Sequence, residues 1–477
     1  MNRIQIDYIC DNYCNRTAFI NQDETEVTYS ELKINMEEMY KYFGVKGLII
    51  CFCSNCMESV CGYLTCLNYG IPVMLEHSDN IISNIRLHIE NYMPQYIWMP
   101  DNSDAIQILR ANNIAFEIIY SKGRYILLRL SYDEEPCAIN EHLGVLISTS
   151  GTSGAGKFVR LNYENIYDNA YRIIEYLRIK SGDVAVTTLP MSYSYGLSVI
   201  NTHIFSGATV VLNNYSVTDR RFWELIKDCK VSNLAGVPYT YEIMKRMGIF
   251  NMQLPHLQYM TQAGGHLSVD LQKEYANYAA NTGKRFVIMY GQTEATARMA
   301  YLPYEEINAR IGSVGKVIPG GVIILKDEDG NIITGSNRQG EIVYSGKNVA
   351  MGYTTGRADL IKGDEWNGVL HTGDIGRYDE DGFLYIVGRK SGFLKLCGKR
   401  INLIELEKLI REEFNYKFQC ICSGNDRCLK ITITDMQYKD EIKSYVRKLL
   451  NIPVNNIYVD VSEKLVLNKN GKIMRNC

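Results

Sequence analysis

The chain has 477 residues, more than one compact core normally holds, so two or more domains are expected. Its formal net charge of -2 and its 46% of hydrophobic residues are ordinary for a globular protein and give no reason to expect a nucleic-acid partner. The sequence has no run of about 18 apolar residues and no apolar N-terminal stretch, so neither a membrane span nor a secretion signal is predicted.

The chain contains 14 cysteines, and several of them cluster between Cys51 and Cys66. Cys53 and Cys56 form a CxxC pair that could indicate a metal site, but the sequence holds no second such pair. Cys61 and Cys66 fall within an apolar helical pattern. We therefore interpret these residues as reduced core thiols, which are typical of a cytoplasmic protein.

Apolar runs alternate with amphipathic segments up to residue 289, and this alternation favours an α/β architecture with parallel sheets. Helices are predicted between many of the runs, for example at Asn165–Leu177 and Arg221–Asp228. The runs predicted as strands are Gly47–Cys53, Tyr96–Met99, Gly144–Ser148, Val184–Leu189, Thr209–Leu212, Asn233–Gly236, Tyr259–Gln262 and Phe286–Met289.

The pattern changes from about residue 312 to residue 385, where short strands and glycine-rich turns are expected. From Asn402 a helix, a short strand region and a second helix at Lys439–Leu450 predict a small α+β unit. We place the domain boundary near Arg389. Residues 1–389 then form a large N-terminal domain of several subdomains, and residues 390–477 form a small C-terminal domain.

The strongest local motif is a loop rich in serine, threonine and glycine that follows the apolar run at residues 144–147. Its glycines allow several backbone N–H groups to converge on an anion, and its final lysine supplies positive charge for a polyphosphate. The alternative is a flexible surface turn. The candidate phosphate-binding residues are Thr149, Ser150, Gly151, Thr152, Ser153, Gly154 and Lys157.

A P-loop NTPase is another interpretation of this loop, because Gly151 to Lys157 satisfies the G-x-x-x-x-G-K pattern. The next residue is Phe158, however, where a P-loop requires Ser or Thr to hold Mg²⁺. The kinase and GTPase interpretations are therefore disfavoured.

Three further motifs are weak when each is taken alone. Tyr290-Gly291-Gln292-Thr293-Glu294 follows a predicted strand and offers an aromatic ring, a glycine and a carboxylate. Thr372-Gly373-Asp374 presents a carboxylate on a turn, and Gly388-Arg389 follows it. Asn470-Gly471-Lys472 forms a tight turn that presents a lysine. Taken alone, each motif would ordinarily be interpreted as a packing residue or a solvated surface turn.

In this order the motifs resemble the core motifs of the adenylate-forming superfamily, which includes acyl-CoA and aryl-CoA synthetases, luciferases and peptide-synthetase adenylation domains. The resemblance covers nearly the whole chain. Further segments that match the superfamily are Thr28–Leu32, Leu189–Leu197, Ala263–Leu267 and Gly340–Tyr353.

The resemblance implies that the chain uses ATP and Mg²⁺ to activate a small carboxylic acid as an acyl-AMP and releases pyrophosphate. The acyl group would then pass to a thiol, either coenzyme A or the phosphopantetheine of an acyl carrier protein. By similarity, the loop at residues 149–157 would wrap the β- and γ-phosphates. Thr293 would contact the α-phosphate, and Glu294 would hold Mg²⁺.

The same resemblance assigns the remaining nucleotide contacts. Asp374 would accept both ribose hydroxyls, with Arg389 beside it. Lys472 would bridge the carboxylate and the phosphate from the small C-terminal domain, which acts in this family as a mobile lid. The adenine would be enclosed by Gly264, Gly265, His266, Tyr290 and Gly291.

By similarity, the acid substrate would face Tyr193, Tyr195 and Gly196. Members that activate amino acids usually place an aspartate in this segment, whereas residues 191–198 contain no acidic residue. An α-amino acid is therefore not expected, because its buried ammonium group would have no counter-charge. The tyrosines suit an uncharged aliphatic, hydroxy or aromatic acid, unless they only pack in the core.

Two alternatives remain open at this point. One is an adenylate-forming ligase that transfers the acyl group to an amine, and the other is a non-catalytic member that binds a nucleotide or a carrier protein. The presence of Glu294, Asp374 and Lys472 disfavours the second alternative. The identity of the acid and the choice between coenzyme A and a carrier protein are left open.

Overall fold

The computed structural model describes residues 5–44, 46–134, 138–149, 157–390, 393–396, 399–424, 428–450 and 452–462. The chain divides into two compact units. Unit 1 comprises Met1–Val322 and Tyr344–Leu370, and unit 2 comprises Ile323–Val343 and His371–Cys477. The predicted domain boundary near Arg389 stays a prediction.

The strands in chain order are β1 (Thr17–Ile20), β2 (Glu26–Thr28), β3 (Ile49–Cys53), β4 (Val73–His77), β5 (Tyr96–Pro100), β6 (Ala115–Lys122), β7 (Tyr125–Ser131), β8 (Leu143–Ser148), β9 (Phe158–Asn162), β10 (Val184–Val186), β11 (Thr209–Val211), β12 (Asn233–Gly236), β13 (Tyr259–Gln262), β14 (Arg285–Tyr290), β15 (Ala300–Leu302), β16 (Lys316–Val317), β17 (Val322–Lys326), β18 (Gly340–Ser345), β19 (Gly352–Thr354), β20 (Val369–Tyr378), β21 (Leu384–Arg389), β22 (Phe393–Leu396), β23 (Lys399–Asn402), β24 (Cys420–Gly424), β25 (Leu429–Ile433) and β26 (Ile457–Val461).

The helices are α1 (Ile6–Asn12), α2 (Tyr29–Tyr40), α3 (Met57–Tyr69), α4 (Ile81–Tyr92), α5 (Ser103–Ala111), α6 (Tyr163–Leu177), α7 (Ser194–Phe205), α8 (Arg220–Asp228), α9 (Pro238–Arg246), α10 (Val269–Thr282), α11 (Leu403–Glu413) and α12 (Lys439–Leu450). None of the helices in the described ranges is both long and apolar enough to cross a bilayer.

Unit 1 contains two large sheets. The first has the order β16-β15-β14-β13-β12-β10-β11-β1-β2, and its strands from β1 to β14 in this order pair in parallel. The second has the order β19-β9-β8-β4-β3-β5-β7-β6 and is parallel only from β8 to β5. The predicted α/β architecture is confirmed, whereas the antiparallel edge strands of both sheets were not predicted.

Helices supply the core that joins these two sheets. Buried residues of α2, α3, α6 and α7 belong to one hydrophobic cluster together with residues of β1, β3, β8 and β11. Cys61 and Cys66 are buried on α3, and Cys53 is buried on β3, in agreement with their interpretation as core thiols. Burial raises the pKa of each of these thiols and keeps them protonated.

The segment Thr28–Leu32 has a structural role at the start of α2. The Thr28 side chain accepts a hydrogen bond from the Glu31 backbone N–H, and the Glu31 carboxylate accepts one from the Thr28 N–H, which is a capping box. Tyr29 is buried, and its hydroxyl donates to the Ala208 carbonyl at 2.7 Å. The segment therefore fixes α2 against the chain between α7 and β11.

Most predicted strands of unit 1 are confirmed, but the one predicted at Val184–Leu189 ends at Val186 in the structure. Thr187 uses its hydroxyl to accept from the Asn213 N–H at 2.8 Å, and Pro190 has no N–H to continue a ladder. The chain therefore leaves the sheet early and enters the segment that precedes α7.

The described part of unit 2 contains small sheets and the helices α11 and α12. Most of the sheet β17-β18-β20-β21 lies in it, followed by the hairpin β22-β23 and the sheet β24-β25-β26. Residues of α11, α12 and the strands from β22 to β26 form its core. The predicted helix after Asn402 and the helix at Lys439–Leu450 are confirmed, and β26 adds a strand that was not predicted.

Candidate functional site

The carboxyl edge of the first sheet collects the residues that were predicted to enclose the adenine. Strands β13 and β14 pair in parallel, so both end at the same edge. The segment from Gly264 to His266 follows β13, and Gly291 follows β14. Gly264 has a φ of +83°, and a Cβ at this position would lie 2.6 Å from the Tyr193 hydroxyl. Only glycine therefore allows this approach between the predicted adenine and acid-binding segments.

After β14 the chain makes a tight excursion and returns as β15. A short 3₁₀ turn covers Thr293–Ala295, and the Met299 N–H then donates to the Tyr290 carbonyl at 2.8 Å. A Cβ on Gly291 would lie 1.8 Å from the Ala297 carbonyl oxygen, so this position also requires glycine. The excursion places Thr293 and Glu294 at the sheet edge.

Thr293 links this turn to the predicted acid-binding segment. Its side chain is buried, and its hydroxyl lies 3.1 Å from the Ser194 hydroxyl at the start of α7. The residue predicted to contact the α-phosphate therefore touches the neighbour of Tyr193 and Tyr195. A phosphate and an acid held by these two segments would be adjacent.

Glu294 belongs to a connected polar cluster. The Tyr353 hydroxyl donates to the Glu294 carboxylate at 2.9 Å, and the Lys157 ammonium lies 3.4 Å from the centre of the Tyr353 ring. Burial, followed by the neighbouring Glu294 charge, raises the pKa of Tyr353 above its usual value, so its hydroxyl stays a donor. Tyr353 thus joins the lysine of the predicted phosphate loop to the predicted metal ligand.

The donor set around Glu294 fits Mg²⁺ better than a metal held entirely by protein. One Glu294 oxygen bonds Tyr353, and the other has no described hydrogen-bond partner. Within the described ranges no three acidic, histidine or cysteine side chains group to hold a metal. Mg²⁺ is commonly bound by one or two carboxylates together with substrate phosphates and waters, which agrees with a single carboxylate beside a phosphate site.

Thr149 and Lys157 flank the predicted phosphate loop. The strands β8 and β9 pair in antiparallel fashion up to Ser148 and Phe158, and the Thr149 N–H lies 3.4 Å from the Lys157 carbonyl oxygen. Lys157 is exposed next to Tyr353. The other predicted loop residues lie outside the described residues, namely Ser150, Gly151, Thr152, Ser153 and Gly154.

Tyr193, Tyr195 and Gly196 lie together at the start of α7, and all three are buried. The Tyr195 hydroxyl donates to the Thr261 carbonyl at 2.7 Å, so it is engaged within the protein. The Tyr193 hydroxyl has no described hydrogen bond, and burial raises its pKa to about 12. Of the two predicted hydroxyls, only that of Tyr193 remains to contact an acid.

Arg298, which the sequence did not single out, packs against the predicted acid-binding segment. Its side chain is 3% exposed, and its guanidinium lies 3.9 Å from the centre of the Tyr195 ring. Nη1 donates to the Ala297 carbonyl at 3.0 Å, while Nε and Nη2 make longer contacts to the Met289 sulfur and the Ser198 hydroxyl, at 3.4 and 3.5 Å. Arg298 lies between Ala297 and Met299, just before β15. An unpaired arginine among residues of a core is rare, and this could have drawn attention to it.

The predicted ribose-binding residues lie in unit 2. Asp374 on β20 and Arg389 on β21 are directly paired across the two strands, and the Arg389 Nε donates to the Asp374 carboxylate at 3.0 Å. Asp374 is buried, and its N–H donates to the Thr372 hydroxyl at 3.0 Å. The structure brings these two predicted residues together. Lys472 lies outside the described residues.

Comparisons with known proteins identify the family to which the chain belongs. A family model described as AMP-binding enzyme matches residues 6–354. The 2-succinylbenzoate–CoA ligase of Bacillus cereus is 25% identical over 420 residues, covering 84% of this chain and 82% of that protein. The luciferin 4-monooxygenase of Luciola mingrelica is 27% identical over 279 residues, covering 58% of this chain. The chain spans only about half of the luciferase, 50% of its length.

Solved structures share the fold. The o-succinylbenzoate CoA synthetase of Bacillus subtilis, in complex with its acyl-adenylate intermediate, superposes with a TM-score of 0.76 at 20% identity, covering 99% of this chain and 97% of that chain. ATP-bound MatB from Rhodopseudomonas palustris gives a TM-score of 0.76 at 18% identity, with the same coverage. At this level of identity the likeness establishes the fold alone.

Proposed function

The chain belongs to the family of AMP-binding enzymes, and on that premise we propose that it activates a carboxylic acid with ATP and transfers the acyl group to a thiol. In the first step a carboxylate oxygen attacks the α-phosphorus, the bond to the β-phosphate breaks, and pyrophosphate leaves. In the second step a thiolate attacks the acyl carbon and AMP leaves. Coenzyme A is the proposed acceptor, because relatives that match most of the chain are named as CoA ligases.

The observation that carries this proposal is the link from Lys157 through Tyr353 to Glu294. The carboxylate and the phosphates are all anions, so the reaction needs fixed positive charge and fixed geometry before it can proceed. Lys157 supplies charge at one end of the link. Mg²⁺, held by Glu294, would neutralise phosphate charge when bound. Thr293 would orient the α-phosphate beside the acid-binding segment.

A further part of the proposal concerns the small C-terminal domain. We assign residues 390–477 to a lid that carries Lys472, and Asp374 with Arg389 to the ribose. A lysine that approaches only as charge develops on the attacked phosphate stabilises the transition state more than the bound substrates. Its withdrawal after the first step would open the acyl-AMP to the thiol.

Exchange of labelled pyrophosphate into ATP tests the first step across a panel of acids. Wild type is expected to support exchange with at least one acid, and Glu294→Gln is expected to abolish it. Glu305→Gln is the matched control, because Glu305 is a half-exposed surface carboxylate beside Arg178. ATP binding without exchange for any acid would favour the non-catalytic alternative.

The second step is followed by mass spectrometry, with coenzyme A and with a carrier protein bearing phosphopantetheine as separate acceptors. A coenzyme A thioester is the expected product. If acyl-AMP accumulates with no thioester, and an amide forms when an amine is added, the acceptor is an amine and not a thiol.

A further inference from the structure

Arg298 is a buried cation whose described partners are all neutral. They are an aromatic ring, a thioether, a backbone carbonyl and a hydroxyl, and none is a carboxylate. The nearby Tyr176 and Tyr193 are also neutral, because burial raises the pKa of both hydroxyls while the Arg298 charge opposes that rise. The guanidinium therefore has no compensating charge among the described residues.

Burial without a counter-charge is costly for arginine in particular. Its guanidinium does not lose its proton within a protein, so the charge stays. A ring face and a few neutral acceptors return only part of the lost hydration. An anionic ligand bound beside Arg298 would supply the missing charge.

The position of Arg298 indicates which ligand this is. Its guanidinium packs on Tyr195, and the adjoining Ser194 touches Thr293, the proposed α-phosphate contact. Arg298 therefore borders the region where the acid is proposed to lie. A carboxylate paired with an arginine is a weaker nucleophile, so the guanidinium suits a carboxylate that does not react.

We propose that Arg298 binds a second carboxylate of the acid substrate, so that the enzyme activates one end of a dicarboxylic acid. This inference rests on the proposed function and departs from the uncharged acid expected from the sequence. Arg298 selects the acid, whereas Glu294 and Thr293 act on ATP for any acid.

The test compares each dicarboxylic acid with its own monoamide, which has nearly the same shape and one charge fewer. A series of α,ω-dicarboxylic acids of increasing length, with aromatic diacids added, is assayed by pyrophosphate exchange. Wild type is expected to prefer a diacid. Arg298→Met is expected to lower kcat/KM for that diacid by about 10²-fold while changing the value for the monoamide by less than about threefold.

Arg285→Met is the matched control. Arg285 also packs on a tyrosine ring, 4.8 Å from the centre of Tyr259, and donates to the Leu177 carbonyl at 2.9 Å. It lies at the opposite end of β14 from the site. This variant is expected to reduce both members of each pair equally, if it changes them at all.

Thermal unfolding and direct binding make the outcome decisive. Without ligand, Arg298→Met is expected to melt no lower than wild type, because it removes an uncompensated buried charge. A lower melting temperature with equal activity losses for diacid and monoamide would make Arg298 structural and overturn the proposal. So would wild-type exchange that prefers monoamides or simple monocarboxylic acids, which would leave the proposed function intact.

If no acid supports exchange, calorimetric titration of the same diacids and monoamides still tests the inference. Tighter diacid binding that disappears in Arg298→Met would support the anion site while the proposed reaction fails. Equal binding of both members of each pair would overturn the inference.

Discussion

His203 and Arg298 are both buried basic side chains of unit 1, but burial has opposite results for their charge. His203 lies near the end of α7, where its Nδ1 donates to the Val199 carbonyl at 2.8 Å and its Nε2 lies 3.3 Å from the Tyr259 hydroxyl. Burial lowers its pKa to about 4, so it is neutral at physiological pH. Arg298 is equally buried but keeps its charge.

This difference indicates that His203 serves packing in the core, whereas Arg298 serves recognition of a ligand. His203 escapes the cost of burial by releasing its proton, and its hydrogen bonds are complete within the core. Arg298 has no such escape, so its charge requires a partner that the described residues do not provide. Substitutions near His203 should therefore change stability alone, whereas substitutions near Arg298 and along the ATP site should change the reaction.

The largest effect is expected from Lys472→Ala. Lys472 and Arg298 are the two positively charged residues that we assign to the acid substrate. The Lys472 charge serves the reacting carboxylate, so exchange should fall by about 10²–10³-fold for every acid, with ATP binding nearly unchanged. Lys469→Ala, a lysine of the same segment, is the control. Exchange by the Lys472 variant within a few-fold of the wild-type rate would contradict a catalytic role for Lys472. Losses confined to diacids would instead give Lys472 the role that we propose for Arg298.

α-Amino acids should be poor substrates by about 10²-fold relative to their des-amino analogues. An ammonium group would meet the Arg298 charge and find no acidic residue in the segment from Met191 to Ser198. Pyrophosphate exchange with the common L-amino acids and D-alanine measures this. A clearly preferred amino acid with an inert des-amino analogue would contradict the charge assigned to the pocket.

Asp374→Ala should raise the KM for ATP by about 10- to 100-fold, since a carboxylate that accepts two ribose hydroxyls makes charge-assisted hydrogen bonds. The KM for the acid should stay the same, because the residue belongs to the nucleotide. Arg377→Ala on the same strand is a control that keeps Asp374 and Arg389 paired. Unchanged ATP affinity in a folded Asp374 variant would exclude the ribose role.

The smallest effect concerns His203 and stability. Its folded pKa of about 4 lies below the unfolded value, so the unfolded state binds the proton more readily between pH 6.5 and 4. The free energy of unfolding should therefore fall on acidification through this window, by about 1 kcal/mol at pH 5.5 and about 3 kcal/mol near pH 4. Urea unfolding of His203→Gln should show a shallower dependence. Identical slopes for both proteins would mean that His203 does not titrate as a buried base.

Sequence reasoning located the parts of the site that follow local rules. The strands that end before Gly264 and Gly291 carry continuous apolar runs, and two parallel strand ends meet at one edge whatever the rest of the fold does. The position of Arg389 beside Asp374 was expected from the resemblance to the adenylate-forming superfamily, and the structure pairs the two residues.

What the sequence did not reveal depends on contacts between distant segments. Tyr353 meets Glu294 only because β19 joins the sheet beside β9, and that antiparallel edge has no strong local signal. The burial of Arg298 likewise depends on Tyr195, which lies about a hundred residues earlier in the chain and reaches it through the packing of α7.

The backbone at position 298 is held independently of its side chain. Asn169 donates to the Arg298 carbonyl at 3.0 Å, Asn348 donates to the same oxygen at 2.9 Å, and the Arg298 N–H donates to Asn169. Any residue except proline can keep these bonds at this position, since they use only the backbone N–H and carbonyl of residue 298. On the proposed role of Arg298, a change in one codon would alter which acid the enzyme accepts and leave the ATP site unchanged. Substrate specificity can therefore diverge at this position among descendants of the enzyme.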